Sequence, residues 1–175
     1  MTEPRGLADY LRQKGEAMKR AAAARPTADE WREEVQATVV ADDLTGVRKL
    51  HIRDWQLISD SGPAFGGWGL GPSSPELLCG VLATCLTHTY EIGAATMGVP
   101  IDRIEVRVTA NNNDAGLLGI ESSDPALPWG ITARVSVESA APAARVDELH
   151  AWAKAHCPLT NLVRTPNDVR IEVVR

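Results

Sequence analysis

Hydrophobic and polar residues alternate in two clear segments of the chain, which predicts two half-buried antiparallel strands. In residues 104–108 and 131–137, valine, isoleucine or alanine occupies every second position between polar residues. A period of two places alternate side chains on opposite faces of a sheet. Segments 34–41 and 47–59 predict further antiparallel strands, either three short ones or two long ones. Residues 169–173 alternate in the same way and predict a last strand at the C-terminal end.

The strongest helical signal begins at residue 73. Ser73 precedes Glu76 by three residues with Pro75 between them, which is the spacing of a capping box at the start of a helix. A long apolar stretch follows and stops at Gly98. We therefore predict a helix from Pro75 to about Met97, and because its first half is apolar on every face, we expect that half to run through the core.

Two further helices complete the predicted set of elements. Residues 5–25 have a helical composition with a thin apolar stripe, and residues 144–156 place apolar side chains at helical spacing. We interpret residues 1–30 as an N-terminal helical extension that packs on the domain or on a partner chain. Residues 31–175 then form one α+β domain with antiparallel strands and a long central helix.

Composition and charge disfavour several classes of protein. The 175 residues include 18 Lys and Arg against 23 Asp and Glu, for a net charge of −5, and 44% are hydrophobic. An acidic chain without a basic run argues against a nucleic-acid partner. No stretch approaches the roughly 18 apolar residues of a membrane span, and the N-terminus has no apolar signal core. We therefore expect a cytoplasmic protein without a membrane partner.

Three cysteines, Cys79, Cys85 and Cys157, carry the candidate chemistry. An odd number of cysteines without a signal sequence is not the disulfide framework of a secreted protein, so any disulfide should be transient. Cys79 and Cys85 lie in one predicted helix, about 9 Å apart along its axis, too far for a disulfide. A bridge within one subunit must therefore include Cys157. The alternative is that Cys85 and Cys157 are buried, unreactive thiols.

A zinc site is an alternative role for these cysteines. Cys85 with His88, and His156 with Cys157, supply four candidate ligands. Structural zinc sites usually draw ligand pairs two to four residues apart, and adjacent residues are poorly placed to converge on one tetrahedral ion. We therefore disfavour zinc, and we expect His88 to be a hydrogen-bonded core residue and not a general base.

The segments around two of the cysteines resemble a known family. Residues 71–85, GPSSPELLCGVLATC, resemble the first cysteine segment of the OsmC/Ohr family of osmotically induced proteins and organic hydroperoxide reductases. Residues 157–164, CPLTNLVR, resemble its second cysteine segment, and residues 53–67, RDWQLISDSGPAFGG, resemble a stretch found in some OsmC-like branches. The resemblance spans residues 34–175. It implies antiparallel sheets packed around a long central helix in an intertwined homodimer.

The resemblance also implies a cysteine-based peroxidase that reduces organic hydroperoxides. Cys85 matches the peroxidatic cysteine, which would become a sulfenic acid, and Cys157 matches the resolving cysteine that converts it to a disulfide. A dithiol reductant would restore both thiols, so no cofactor is expected. Because only a thiolate is nucleophilic, the family provides an arginine oriented by an acid. The matching candidates are Arg53, or else Arg48, together with Glu76.

One departure from the family pattern leaves a second function open. In the hydroperoxide reductase branch the functional acid lies one residue earlier than Glu76, where this chain has Pro75. Glu76 also has the spacing of a capping residue. The alternative function is a non-catalytic module that binds a small apolar ligand at the dimer interface. In either case, the apolar side chains of the long connection at residues 111–130 would line a substrate path or bury against a second subunit.

Overall fold

The computed structural model describes residues 3–173 and has the predicted α+β architecture. Its helices and strands occur in the order α1 (Leu7–Ala24), β1 (Thr38–Ala41), β2 (Arg48–Ile52), β3 (Trp55–Ser59), α2 (Ser74–Met97), β4 (Arg103–Asn111), β5 (Trp129–Glu138), α3 (Ala143–His156) and α4 (Pro158–Arg164). The chain forms two compact units. One contains the chain up to Ala21, Leu82–Val108 and the chain from Ala133 onward, and the other contains Ala22–Val81 and Thr109–Thr132.

Strands β1, β2 and β3 form an antiparallel sheet in that order. The loss of alternation near Arg53 and Asp54 is a two-residue turn, because Ile52 pairs directly with Trp55 across it. Arg53 adopts a left-handed conformation with a φ of 52°, as such tight hairpin turns require. The segment 47–59 therefore forms two strands, and the three-strand alternative is confirmed.

Strands β4 and β5 form a second, two-stranded sheet. The backbone N–H of Asp102 donates to the carbonyl of Glu138 at 2.8 Å, so the start of β4 meets the end of β5, as antiparallel pairing requires. The apolar side chains in the connection between these strands are exposed in the single chain: Leu117, Leu118, Ile120 and Leu127. The two uses predicted for this connection therefore both remain predictions.

Helix α2 begins and ends at the predicted signals. The backbone N–H and the hydroxyl of Ser73 both donate to Oε2 of Glu76 at 2.7 Å, which stabilises the first turn. At the other end Gly98 has a φ of 67°, a left-handed conformation that stops a helix and favours glycine. The prediction that the first half of α2 lies in the core is wrong for the single chain. Its buried residues begin at Leu82, and Val81 is 52% exposed.

The prediction that no stretch approaches a membrane span is wrong for α2. By length and composition alone it could cross a membrane, although core helices of water-soluble proteins pass the same test. The hydropathy of a helix indicates how much of its apolar surface must be buried. It does not indicate whether lipid or other parts of the protein bury that surface. Part of the apolar surface of α2 is buried by other helices of the same chain.

The second half of α2 packs against α3 in the core of its unit. Leu86, Tyr90 and Ala94 of α2 contact a buried cluster that includes Leu149 and Ala153 of α3. Gly93 is required at the crossing of the two helices. A Cβ atom there would lie 2.6 Å from Cε3 of Trp152 and 2.8 Å from Cδ1 of Leu149.

The N-terminal helix α1 packs on α2 of its own chain. Leu11 is buried in the same core cluster. A Cβ atom on Gly15 would lie 2.8 Å from the carbonyl oxygen of Ala95, so the helices approach closely at this glycine. Nζ of Lys14 lies 3.2 Å from Oε2 of Glu91 in a partly buried ion pair. Of the two alternatives for this segment, packing on its own domain is therefore observed.

The predicted C-terminal strand is wrong within the described residues. Residues 165–173 form no strand, and Val169, Ile171 and Val173 are 79%, 85% and 83% exposed. The alternating pattern is real, but a strand also needs a neighbouring edge with which to exchange hydrogen bonds. The short helix α4 was not predicted. Pro158 occupies its first turn, where proline is tolerated.

Candidate functional site

Two of the three thiols lie together although they are 72 residues apart in the chain. Sγ of Cys85, in the middle of α2, is 3.7 Å from Sγ of Cys157. Cys157 occupies the junction of α3 and α4, where its N–H donates to the carbonyl of Ala153 and its carbonyl accepts from the N–H of Asn161, both at 3.1 Å. All three cysteines are free thiols. The packing of α3 on α2 therefore brings the two predicted site cysteines into contact.

The two cysteine residues differ in exposure. Cys157 is completely buried, with 0% of its surface exposed, whereas Cys85 is half-buried. A molecule that approaches the pair from solvent would therefore meet Cys85 first. This matches the roles that the family resemblance implies, in which Cys85 reacts with the external oxidant.

The pKa shifts of the two thiols differ from what those roles would require, because the nucleophile should have the lower pKa. Burial raises the pKa of Cys85, and the neighbouring Cys157 sulfur raises it further, although the backbone N–H of Leu159 and the Thr89 hydroxyl act in the opposite direction. Burial also opposes ionisation of Cys157. Hydrogen bonds from Thr160 and Thr89 outweigh that burial and lower the pKa of Cys157. The two sulfurs are in contact, so the ionisation of one thiol affects the pKa of the other.

The charged residues predicted to serve the thiolate lie in the other compact unit, where Glu76 and Arg48 have local partners. Glu76 accepts the two hydrogen bonds from Ser73, which lower its pKa. Arg53 is exposed at the hairpin turn. Arg48 is half-buried on β2 and donates from Nε and Nη2 to Oγ of Ser59 at 3.3 Å and 3.2 Å. Among residues 3–173, no ion pair joins Glu76 to either arginine.

A buried acid that the sequence analysis did not identify lies in the same unit as Arg48. Asp60 accepts hydrogen bonds from the backbone N–H groups of Ser61, Trp68 and Leu70 at 2.7, 3.0 and 3.1 Å. The N–H of Leu70 contributes most to holding the pKa of Asp60 below its usual range, and the charge of Arg48 contributes to the same shift. An acid directly between a strand and a glycine-rich loop was the signal that could have identified it.

The histidines of the zinc alternative are placed elsewhere. His88 is exposed, so the prediction of a core histidine is wrong. It lies two residues from each of the buried Leu86 and Tyr90, and two residues rotate a side chain by about 200° around a helix. The ring of His156 stacks on that of Trp152, and its Nδ1 lies 2.8 Å from the Trp152 carbonyl oxygen. The part of the chain that the structure describes contains no cluster of three metal-ligating side chains.

Comparison with known proteins decides the family. A family model described as "OsmC-like protein" matches residues 66–172, which is more than half of the chain. The chain belongs to the OsmC-like family. The resemblance inferred from the two cysteine segments is thereby confirmed. A search of curated protein sequences gave no match.

Solved structures share the fold of this OsmC-like protein at low sequence identity. An OsmC-like protein from Mycoplasma pneumoniae has a TM-score of 0.62 and 17% identity, with 75% of this chain and 88% of that chain covered. An OsmC-like protein of unknown function from Vibrio cholerae has a TM-score of 0.59 and 14% identity over 77% and 96%. An organic hydroperoxide resistance protein OsmC from Legionella pneumophila has a TM-score of 0.51 and 15% identity over 75% and 90%.

Proposed function

We propose that this OsmC-like protein is a cysteine-based peroxidase for organic hydroperoxides, in which Cys85 is the nucleophile and Cys157 resolves its sulfenic acid. The separation of 3.7 Å between the two sulfurs carries this proposal. A disulfide bond is about 2.05 Å long, so a small local movement would join them. The description of the Legionella relative as an organic hydroperoxide resistance protein supports the class of substrate.

The contact between the sulfurs also supplies a route for the proton. The Cys85 thiol passes its proton to the Cys157 thiolate, and the resulting Cys85 thiolate attacks one peroxide oxygen. The O–O bond breaks, Cys85 becomes a sulfenic acid, and the alkoxide takes the proton from Cys157. The regenerated Cys157 thiolate then attacks the Cys85 sulfur and expels hydroxide, which leaves a disulfide. An external dithiol reduces that disulfide by two electrons, and no metal or organic cofactor takes part.

Thiol titration tests this function directly. The reduced protein carries three thiols per chain, and after addition of cumene hydroperoxide we expect two of them to disappear, with Cys79 remaining. Addition of dithiothreitol should restore all three. A disulfide-linked peptide pair containing Cys85 and Cys157 should appear in the mass spectrum. An unchanged count at excess peroxide would contradict the proposal.

The raised pKa of Cys85 favours a second candidate, a binding module without peroxidase activity. A thiol that stays protonated at neutral pH is a poor nucleophile. In this function, Cys85 and Cys157 remain reduced while a small apolar ligand occupies the dimer interface. This function would be supported if all three thiols remained after peroxide treatment and Cys85 was alkylated slowly at neutral pH.

Within the peroxidase proposal, we assign the arginine that serves the thiolate to Arg48 in preference to Arg53. Arg48 is half-buried and lowers the pKa of the buried Asp60, which makes Asp60 the candidate orienting acid beside Glu76. Arg53 is exposed at a turn. Loss of a cation that shifts a thiol pKa by one unit reduces the thiolate near neutral pH by about tenfold.

Paired substitutions discriminate between the two arginines. We expect Arg48→Gln to slow peroxide consumption at pH 7 by about tenfold and to move its pH midpoint upward by about one unit. The matched substitution Arg53→Gln should leave the pH midpoint at its wild-type value. Initial rates measured across a pH series provide the comparison. The reverse result would assign the role to Arg53, as the sequence analysis favoured.

We also propose that the protein is a homodimer, as the resemblance implies. The single chain leaves Val39, Trp55 and Leu57 exposed on one face of the first sheet, together with Ile171 in the C-terminal segment. Apolar side chains that are exposed together on one face of a sheet usually mark an interface, and the exposed Ile171 is a second, separate candidate. A cytoplasmic location belongs to the same proposal, because the cycle needs a compartment that keeps thiols reduced.

Light scattering tests the dimer. We expect a native mass of about twice the 18.8 kDa of the chain. Ile171→Asp should shift the protein toward the monomer, because a charge would replace apolar contact with the second copy. Arg170→Asp, which introduces the same side chain at the neighbouring position but removes no apolar side chain, should have a smaller effect. A wild-type protein that stays monomeric at all concentrations would rule the dimer out.

A further inference from the structure

We infer that the N-terminal helix α1 carries a second interface between copies of this chain, in which two α1 helices pack antiparallel about a two-fold axis. The interface lies on the flank of α1 that its own chain leaves open, beside an apolar groove. It is separate from the dimer interface proposed above on the first sheet, and it does not depend on the peroxidase function.

A groove of about 580 Å³, the α1 groove, lies between α1 and the end of α2 and is partly open to solvent. Small and apolar residues form much of its lining: Ala8, Gly15, Ala94, Ala95, Val99 and Pro100. Helices pack by inserting the side-chain ridge of one into the groove of another, and small residues allow a close approach. The α1 groove is therefore suited to a second helix.

Four charged side chains of α1 line the same groove: Asp9, Arg12, Glu16 and Lys19. Asp9 is half-buried and the other three are exposed. Within the chain, Asp9 pairs with Arg12, and Glu16 pairs with Lys19. The sign of the charge alternates along the helix and the four charges sum to zero. A partner with strong charge of one sign is therefore disfavoured, and the occupant should carry alternating charges in the complementary order.

The α1 helix of a second copy has that order when it runs in the opposite direction. Asp9 and Lys19 each lie five residues from Lys14, and Arg12 and Glu16 each lie two residues from it. A two-fold axis at the level of Lys14 therefore sets Asp9 opposite the partner's Lys19. It also sets Arg12 opposite the partner's Glu16, and the symmetry repeats both contacts. A parallel arrangement would instead set each charge against its own copy.

The groove supplies affinity and the charges supply direction and register. Exposed ion pairs contribute little by themselves, whereas burial of apolar surface drives association. The aliphatic stems of Arg12 and Lys19 can cover the partner's α1 groove while their charged ends stay at its edge. We expect this contact to be weaker than the sheet interface, so that two dimers associate through α1 only at higher protein concentration.

Light scattering across a concentration series tests the interface with two charge reversals. The wild-type mass should rise from twice toward four times that of the chain as the concentration approaches about 1 mM. Arg12→Glu sets two acids opposite each other, and Glu16→Arg sets two arginines opposite each other, so neither variant alone should show the rise. An equimolar mixture of the two variants restores opposite charges at both positions and should regain it. Arg20→Glu makes the same change of charge on α1 outside the groove and should behave as the wild type.

A zero-length carbodiimide cross-link gives a direct readout of the contact. Asp9 and Lys19 are ten residues apart, or about 15 Å along one helix, so an amide bond between their side chains can form only between two chains. We expect this cross-link in the wild type and its loss in Arg12→Glu. The pair Lys14 and Glu91, 3.2 Å apart within one chain, should cross-link in both proteins.

The inference would be overturned by a wild-type mass that does not rise, by a rise that persists in both charge reversals, or by a mixture that does not regain it. Formation of the cross-link between Lys14 and Glu91 without the one between Asp9 and Lys19 would also overturn it. A wild-type dimer that Arg12→Glu converts to monomers would refute only the interface proposed on the first sheet. None of these measurements involves peroxide, so they do not depend on the peroxidase proposal.

Discussion

Cys85→Ser is expected to abolish peroxide consumption, whereas Cys157→Ser should consume one equivalent per chain to form the sulfenic acid and should not turn over. Serine at position 85 has no accessible anion near neutral pH, so the first attack on the peroxide cannot occur. In Cys157→Ser the sulfenic acid forms on Cys85 but has no thiol 3.7 Å away to condense with it. Excess peroxide should then oxidise it further to sulfinic acid. Whole-protein mass spectrometry, which counts the added oxygen atoms, distinguishes these outcomes.

Cys79→Ser is the matched control for these variants. Cys79 lies on the same helix and is also a free thiol, yet the proposed cycle does not use it. This variant should lose both of its remaining thiols in peroxide and recover them with dithiothreitol. If Cys85→Ser still consumed peroxide stoichiometrically, the assignment of the nucleophile would be wrong. A slower first turnover in Cys157→Ser would support the transfer of the proton from Cys85 to Cys157.

Leu149→Ala is expected to lower the free energy of unfolding by about 3 kcal/mol, the middle of the range for a buried leucine. Leu149 is completely buried where α3 packs against α2, and its Cδ1 lies next to Gly93. The helices cannot close the resulting cavity freely, because Trp152 also contacts this crossing. Urea unfolding followed by circular dichroism measures the change.

The same substitution at an exposed leucine provides the control for Leu149→Ala. Leu44 lies in the turn between β1 and β2 and is almost fully exposed. Leu44→Ala should change the free energy of unfolding by less than about 0.5 kcal/mol, as is usual for surface positions. Equal effects of the two substitutions would show that the α2–α3 crossing is not the stabilising core described here.

The elements that depend on local chemistry were predicted well from the sequence. The capping residues Ser73 and Glu76 located the start of α2, and Gly98 located its end. A helix cap joins residues that are three or four positions apart, so the local sequence is enough to predict it. The C-terminal strand failed for the opposite reason. The alternation of Val169, Ile171 and Val173 is local, but a strand also depends on a distant edge.

The residues of the candidate site likewise fall into those that local sequence identified and those that only the structure revealed. The cysteine segments identified Cys85 and Cys157 as a pair, because motifs are local patterns of residue type. The burial of His88 was predicted wrongly, because it depends on which face of α2 packs against the other helices. Asp60 was missed because the resemblance of residues 53–67 did not single it out. Its burial and its backbone N–H donors come from a loop that folds back on it in space.

The sequence by itself determined the α+β class, the limits of the long helix and the family, because periodicity, caps and motifs are properties of neighbouring residues. Only the tertiary structure decided that two thiols 72 residues apart are in contact, since that depends on how closely α3 can approach α2 at Gly93. It also decided that burial opposes the ionisation of both thiols. The pKa of a buried thiol is set by its desolvation and by the donors that the fold brings to it, and neither quantity can be read along the chain.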